Sequence, residues 1–202
     1  MSKEKKEKRF LASEIERRMD EEGEDSNVLE GYASVFGTVA DIGGFFDETV
    51  ARGAFTRAVQ EGQDVRALVD HDASKVLGRT KSKTLELVED DKGLRVKITL
   101  PDTTVGRDIK ESVRRGDVSQ MSIGFFVVGE EVDRTGDKVL RTITDVDLFD
   151  VSVVTYPAFE DTEISLRSAI DAFNQSESEL SKEGKFKRIY RAKLNLLELS
   201  VR

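Results

Sequence analysis

The chain has 202 residues, 38% of them hydrophobic and 36% charged, and a formal net charge of −8. It contains no cysteine and one histidine, His71. Thiol nucleophiles and zinc–thiolate sites are excluded, histidine-rich metal centres lack their ligands, and an acidic chain makes a poor general nucleic-acid coat.

This length fits one domain with tails. No apolar run reaches the roughly 18 residues of a membrane helix. The charged start Met1-Ser2-Lys3-Glu4-Lys5-Lys6 has no apolar stretch after it and does not read as a secretory signal. The interior of a cell is the default compartment, with no membrane and no nucleic acid as partners. No glycine-rich phosphate loop is present; Gly43-Gly44 reads as an ordinary loop, and no cofactor is expected.

Residues 1–26 read as a charged N-terminal tail. Lys3–Arg9 and Glu14–Arg18 suit a short helix, and acidic Asp20–Ser26 a loop. Leu29, Gly31, Ala33 and Val35 alternate as in a strand. Ala51, Phe55, Ala58 and Val59 place a short amphipathic helix within Val50–Glu61. Strands are expected at Val65–Val69, Lys75–Thr80, Thr84–Val88 and Leu94–Leu100, the last entered through the turn Asp90-Asp91-Lys92-Gly93 and stopped by Pro101. Asp102, Thr103 or Thr104 caps a helix over Val105–Arg115, which Gly116 closes. Val118–Val128, Lys138–Val146 and Leu148–Thr155 are the remaining strands. The body is β-rich α+β, and its hairpin-like spacing favours an antiparallel sheet or barrel with two short helices. Residues 27–168 form the expected domain. Residues 169–184 read as a flexible linker. Residues 185–202 read as a basic amphipathic helix, with Phe186, Tyr190, Leu194 and Leu197 at helical spacing.

His71 is the one imidazole available as a general base, and a base needs a nucleophile and an orienting acid. In the strand around Ser122, residues Met121, Ile123, Phe125 and Val127 share an apolar face, while Ser122 and Gly124 lie on the other. A serine beside a residue without a side chain leaves room for a substrate backbone; from spacing alone the pattern favours the plainer reading, a polar residue facing outward on an antiparallel strand. In the last strand, Phe149, Val151 and Val153 form one face and Leu148, Asp150, Ser152 and Val154 the other. Asp150 either accepts a hydrogen bond from His71 or sits on an exposed sheet face; buried without a partner it would cost free energy. His71 follows Ala67-Leu68-Val69 at a strand end, where a lone histidine is often structural.

Four stretches taken together resemble the prohead (capsid maturation) serine proteases of tailed bacteriophages. They are Gly31-Tyr32-Ala33-Ser34-Val35-Phe36 with Gly53-Ala54-Phe55, then His71-Asp72-Ala73-Ser74-Lys75-Val76-Leu77-Gly78-Arg79-Thr80, then Gly116-Asp117-Val118-Ser119-Gln120-Met121-Ser122-Ile123-Gly124-Phe125, and finally Asp150-Val151-Ser152-Val153-Val154-Thr155-Tyr156-Pro157-Ala158. The resemblance runs from about Leu29 to Arg167. It implies a serine endopeptidase distantly related to the herpesvirus assembly proteases, with an antiparallel β-barrel core and surrounding helices. It places the family's histidine on His71 and its serine on Ser122, with Ser119 as a nearby decoy. The acid before Val-Ser is usually glutamate in that family; here it is Asp150, a shorter acid that requires a different approach to the imidazole. Oxyanion donors are expected among backbone N–H groups near the serine or on a neighbouring loop.

The same resemblance implies an enzyme packaged inside the immature capsid (prohead) in the host cytoplasm. There it cuts the scaffolding portion of the major capsid protein precursor, or a separate scaffold protein, and itself. It leaves a homodimer open. The basic helix is either a docking element for acidic scaffold or capsid segments or a helix packed on the domain, and the linker Asn174–Gly184 is an accessible place for self-cleavage. Two rival readings stand beside the protease: a catalytically inactive, scaffold-like capsid assembly factor, and an unrelated β-barrel binding module.

Overall fold

The computed structural model describes residues 6–9, 15–19 and 25–156. In chain order the elements are β1 (Lys6–Arg9), β2 (Ile15–Met19), β3 (Asp25–Val35), β4 (Ala40–Ile42), β5 (Phe46–Val50), α1 (Thr56–Gln60), β6 (Arg66–Val69), β7 (Asp72–Arg79), β8 (Leu85–Glu89), β9 (Gly93–Thr99), α2 (Thr104–Arg115), β10 (Gln120–Asp133) and β11 (Leu140–Val154). The expected linker and basic C-terminal helix lie outside the described residues.

Local chemistry explains the elements that match expectation. In β9, Leu94, Val96 and Ile98 are buried while Arg95, Lys97 and Thr99 turn outward, the period-two pattern of a strand with one covered face. Helix α2 begins where the Thr103 side chain accepts a hydrogen bond from the Gly106 N–H at 3.2 Å, and it ends at Gly116, which takes the left-handed conformation (φ 79°) that a residue without Cβ adopts without strain. Ile109 and Val113, one turn apart, are its buried apolar side chains.

Other expectations are corrected. The charged N-terminal runs are strands, not helix: β1 pairs with β10 and β2 with β3. Pairing with a ready-made sheet edge outweighs a weak helical preference. The amphipathic helix shrinks to α1, because Gly53 takes φ 90° and ends extended structure there, while Phe46–Val50 alternates buried and half-buried as a strand. The two strands expected over Lys138–Thr155 are one long strand, β11.

A seven-stranded sheet runs β1-β10-β11-β5-β4, with β6 and β7 also attached through β11; a four-stranded sheet runs β2-β3-β9-β8. The β-rich class holds, but the antiparallel barrel does not. Among the described residues no ladder joins the two sheets, so they stay open, and the larger one is mixed. Strand β11 is long enough to pair in parallel with β5 along Leu140–Ile143 and with β6 along Asp150–Val153. The hydrophobic core includes Leu29, Ala33 and Ile98 from the smaller sheet with Ile123, Phe125 and Val151 from the larger, and β3 packs on β10.

Candidate active site

Three segments of the larger sheet meet at its β6–β11–β10 junction. The first is the β6–β7 hairpin. Val69 pairs with Asp72, so Asp70 and His71 are the whole loop, and both take the left-handed conformation (φ 49° and 56°). A two-residue hairpin turn of this hand matches the sheet twist but strains residues that carry a Cβ. Four hydrogen bonds to the end of β11 hold the strain. The Asp70 N–H donates to the Val153 carbonyl at 2.9 Å, and the Asp70 carboxylate accepts from the Thr155 N–H at 2.8 Å and the Thr155 hydroxyl at 3.1 Å. The His71 N–H donates to Ser152 Oγ at 3.2 Å. The imidazole is thereby turned back over the sheet.

The second and third segments are β10 and β11. Their antiparallel register sets Ser122 opposite Ser152 and Gly124 opposite Asp150, so all four side-chain positions share one face. The register then slips: Phe125 faces Leu148, and Phe149 is extra. Such a bulge flips side-chain parity. Leu148 therefore joins Val151 and Val153 in the core, not Asp150 and Ser152 as strict alternation would have it. Phe149 is half-buried and packs on Phe126, ring centroids 5.1 Å apart.

The three sequence candidates come together. His71 Nδ1 lies 2.5 Å from Asp150 Oδ1, and His71 Nε2 lies 2.6 Å from Ser122 Oγ. An ionised carboxylate only accepts, so Nδ1 carries the ring proton and Nε2 accepts from the Ser122 hydroxyl. The His71 and Asp150 side chains are 4% and 5% exposed, and Ser122 is wholly buried. Low local dielectric strengthens each of these bonds relative to water. Ser119, the decoy, is exposed, and its carbonyl accepts from the Ile15 N–H.

Gly124 does not leave room for a substrate backbone. A Cβ there would run into Asp150 Oδ2 and come within 2.6 Å of the Phe149 ring. The space belongs to the carboxylate, which lies across the bare backbone and so brings the shorter acid to the imidazole. Ser152 was legible only as a polar position on this face. Its hydroxyl donates to Asp150 Oδ1 at 2.8 Å, accepts from the His71 N–H and lies 3.1 Å from His71 Nδ1. Among the described residues, no group of three or more His, Asp or Glu side chains is arranged to hold a metal ion.

A serine hydroxyl bonded to a neutral imidazole, itself bonded to a buried carboxylate, is the arrangement of serine hydrolases, here on an open pair of β-sheets. A family model described as caudovirus prohead serine protease matches residues 13–176, and the chain belongs to that family. The chain is 31% identical over 148 residues to the prohead protease of Enterobacteria phage HK97. The alignment covers 71% of this chain and 61% of the HK97 protein, so it spans less than two thirds of that relative's length. No solved structure matches the chain.

Proposed function

We propose that the protein is a serine endopeptidase that cleaves the scaffolding portion of a phage capsid precursor, and itself, during prohead maturation. The observation that carries this reading is the continuous contact Ser122–His71–Asp150, at 2.6 and 2.5 Å. Ser122 Oγ attacks the scissile carbonyl carbon as His71 Nε2 takes its proton. The imidazolium is stabilised by Asp150, which stays ionised. His71 then returns the proton to the leaving amine as the C–N bond breaks, and an acyl-Ser122 ester remains. Water, deprotonated by the same imidazole, releases the acid product and restores Ser122.

Family membership and the likeness to the HK97 prohead protease support a capsid precursor or scaffold protein as substrate, and the interior of the prohead in the host cytoplasm as the place of action. Confinement there raises effective concentration, so high intrinsic affinity is unnecessary. Kinship with the herpesvirus assembly proteases, a homodimer and a docking role for residues 185–202 belong to the same proposal. The test is co-expression with the capsid precursor, wild type beside Ser122→Ala, with products identified by mass spectrometry. Cleavage by wild type alone supports the reading. An uncut precursor in both favours the inactive assembly factor, and equal cutting in both removes Ser122 as nucleophile.

A further inference from the structure

A gap separates the two parallel ladders of β11. Strand β5 pairs with Leu140–Ile143 and β6 with Asp150–Val153, so on that edge residues 144–149 face no strand among the described residues. Backbone donors and acceptors there still need partners. Two side chains from the segment between β5 and β6 supply them. Arg57 Nη2 donates to the Val146 carbonyl at 3.1 Å, and the Leu148 N–H donates to Gln63 Oε1 at 2.8 Å. Gln63 Nε2 donates in turn to Asp147 Oδ1 at 2.7 Å. A backbone N–H only donates and a carboxylate only accepts, so the two ends of the Gln63 amide cannot be exchanged.

The gap coincides with the bulge that aims Asp150. Alternate residues of a strand point their backbone groups to the same edge. Val146 and Leu148 point theirs at Arg57 and Gln63. Beyond Phe149 the odd-numbered Val153 does so, its carbonyl accepting from the Asp70 N–H at 2.9 Å. The change of parity falls on the extra residue, Phe149. Gln63 therefore holds the last such backbone group before the phase changes. It is itself fixed: its N–H donates to the Ala58 carbonyl at 3.1 Å, and its carbonyl accepts from the Thr80 hydroxyl at 2.7 Å. The same segment runs on into β6 and the His71 turn.

We propose that Gln63 is a positioning residue for the relay: its carboxamide locks the bulge in β11 and so fixes the phase at which Asp150 meets His71. This rests on the endopeptidase reading and deepens it. Gln63 acts through the β11 backbone and not on the reacting atoms. With the amide removed, the N–H of buried Leu148 loses its partner, and the extra residue is free to move along the strand. A shift of one position toward Ser152 makes Asp150 the unpaired residue. Its carboxylate then leaves the face it shares with Ser122.

The test uses the full chain and two readouts. One is the rate of Ser122 modification by a fluorophosphonate, followed by mass spectrometry. The other is the Nδ1 proton resonance of His71, the one histidine. Gln63→Leu removes both hydrogen bonds of the amide. It is expected to label roughly tenfold more slowly than wild type, as when a buried donor is left unmet, and to move the resonance. Gln63→Glu/Asp147→Asn keeps both bonds with the donor and acceptor between the two side chains exchanged. It should return both readouts to their wild-type values, whereas Gln63→Glu alone, with two carboxylates facing, should not.

Thr103→Ala is the control for lost stability alone, because it removes the cap of α2. It should leave labelling and resonance unchanged; an effect as large as that of Gln63→Leu overturns the proposal. So does a wild-type rate with an unmoved resonance in Gln63→Leu. If Gln63→Leu does not fold, the comparison of Gln63→Glu with and without Asp147→Asn decides, and equal readouts in the two overturn the lock. A resonance that moves and is restored as expected, with no labelling of Ser122 even in wild type, supports the lock and overturns Ser122 as the nucleophile instead.

Discussion

Ser152 stands directly across the ladder from Ser122, and its hydroxyl donates to Asp150 Oδ1 at 2.8 Å while accepting from the backbone N–H of His71 at 3.2 Å. It sets the angle between ring and carboxylate without touching the reacting atoms. Ser152→Ala should lower kcat about 10- to 100-fold with KM nearly unchanged, the range for losing a hydrogen bond of about 1.5–3 kcal/mol to a charged group. Because His71 is the one histidine, its Nδ1 proton resonance is free of overlap. That resonance should move in Ser152→Ala; an unmoved resonance with full kcat would show the hydroxyl to be structural only.

Gly124 and Asp150 share one space, so altering either should disable the relay. Asp150→Asn is expected to lower kcat by on the order of 10⁴ while the protein stays folded, since an amide stabilises the wrong tautomer. Gly124→Ala pushes a methyl group into the carboxylate. It should approach the same loss of activity while costing about 1–3 kcal/mol of stability, the usual penalty of overpacking. Peptide kinetics beside urea unfolding separate the two effects. Full activity in Gly124→Ala would mean the carboxylate need not lie where it does.

Arg141 and Glu48 face each other across the parallel β11–β5 ladder, both 1% exposed, with Arg141 Nη1 2.8 Å from Glu48 Oε2. Arg141 also reaches Glu130 Oε2 at 2.6 Å through Nε. Arg141→Met takes the guanidinium away from the buried Glu48 carboxylate and should cost about 3–5 kcal/mol in chemical denaturation. Adding Glu48→Leu should restore most of that, because desolvation offsets much of the pair's attraction. A double variant no more stable than Arg141→Met would make the pair a net source of stability.

The Asp64 carboxyl is held down at about 2, first by its hydrogen bonds from Arg79 and then by the charges of Arg66, Arg79 and Lys81. Its folded value lies below the unfolded carboxylate value of about 3.9. Its contribution is therefore fully present above that unfolded value and is lost as pH falls through about 2. Because the group is solvent-facing, the effect is small. The Tm difference between wild type and Asp64→Asn should be constant above about pH 5 and close toward pH 2. A gap independent of pH would show the contact to be uncharged in its effect.

Regular local chemistry made β9 and α2 legible: one alternates without a break, and the other has a threonine cap and a terminal glycine. β1 and β2 were not legible. Lys6–Arg9 and Ile15–Met19 carry no strand pattern of their own, and their pairing with distant edges decides their form. The bulge at Phe149 hid the parity change that separates Leu148 from Asp150. The residue pattern named His71, Ser122 and Asp150 but left each an innocent alternative, and the family pattern favoured the site. Ser152 and Asp70 could not be read, since their roles exist only when the β6–β7 hairpin meets β11.

Strand β11 also sets a clock. It carries Asp150 and Ser152, holds the His71 turn through Val153 and through Thr155 just past its end, and pairs with the Ser122 strand. Chains leave the ribosome N-terminus first and fold as their segments emerge. His71 and Ser122 are therefore translated well before the strand that orients them. The Ser122–His71–Asp150 contact therefore cannot assemble on a nascent chain until β11 is out and paired.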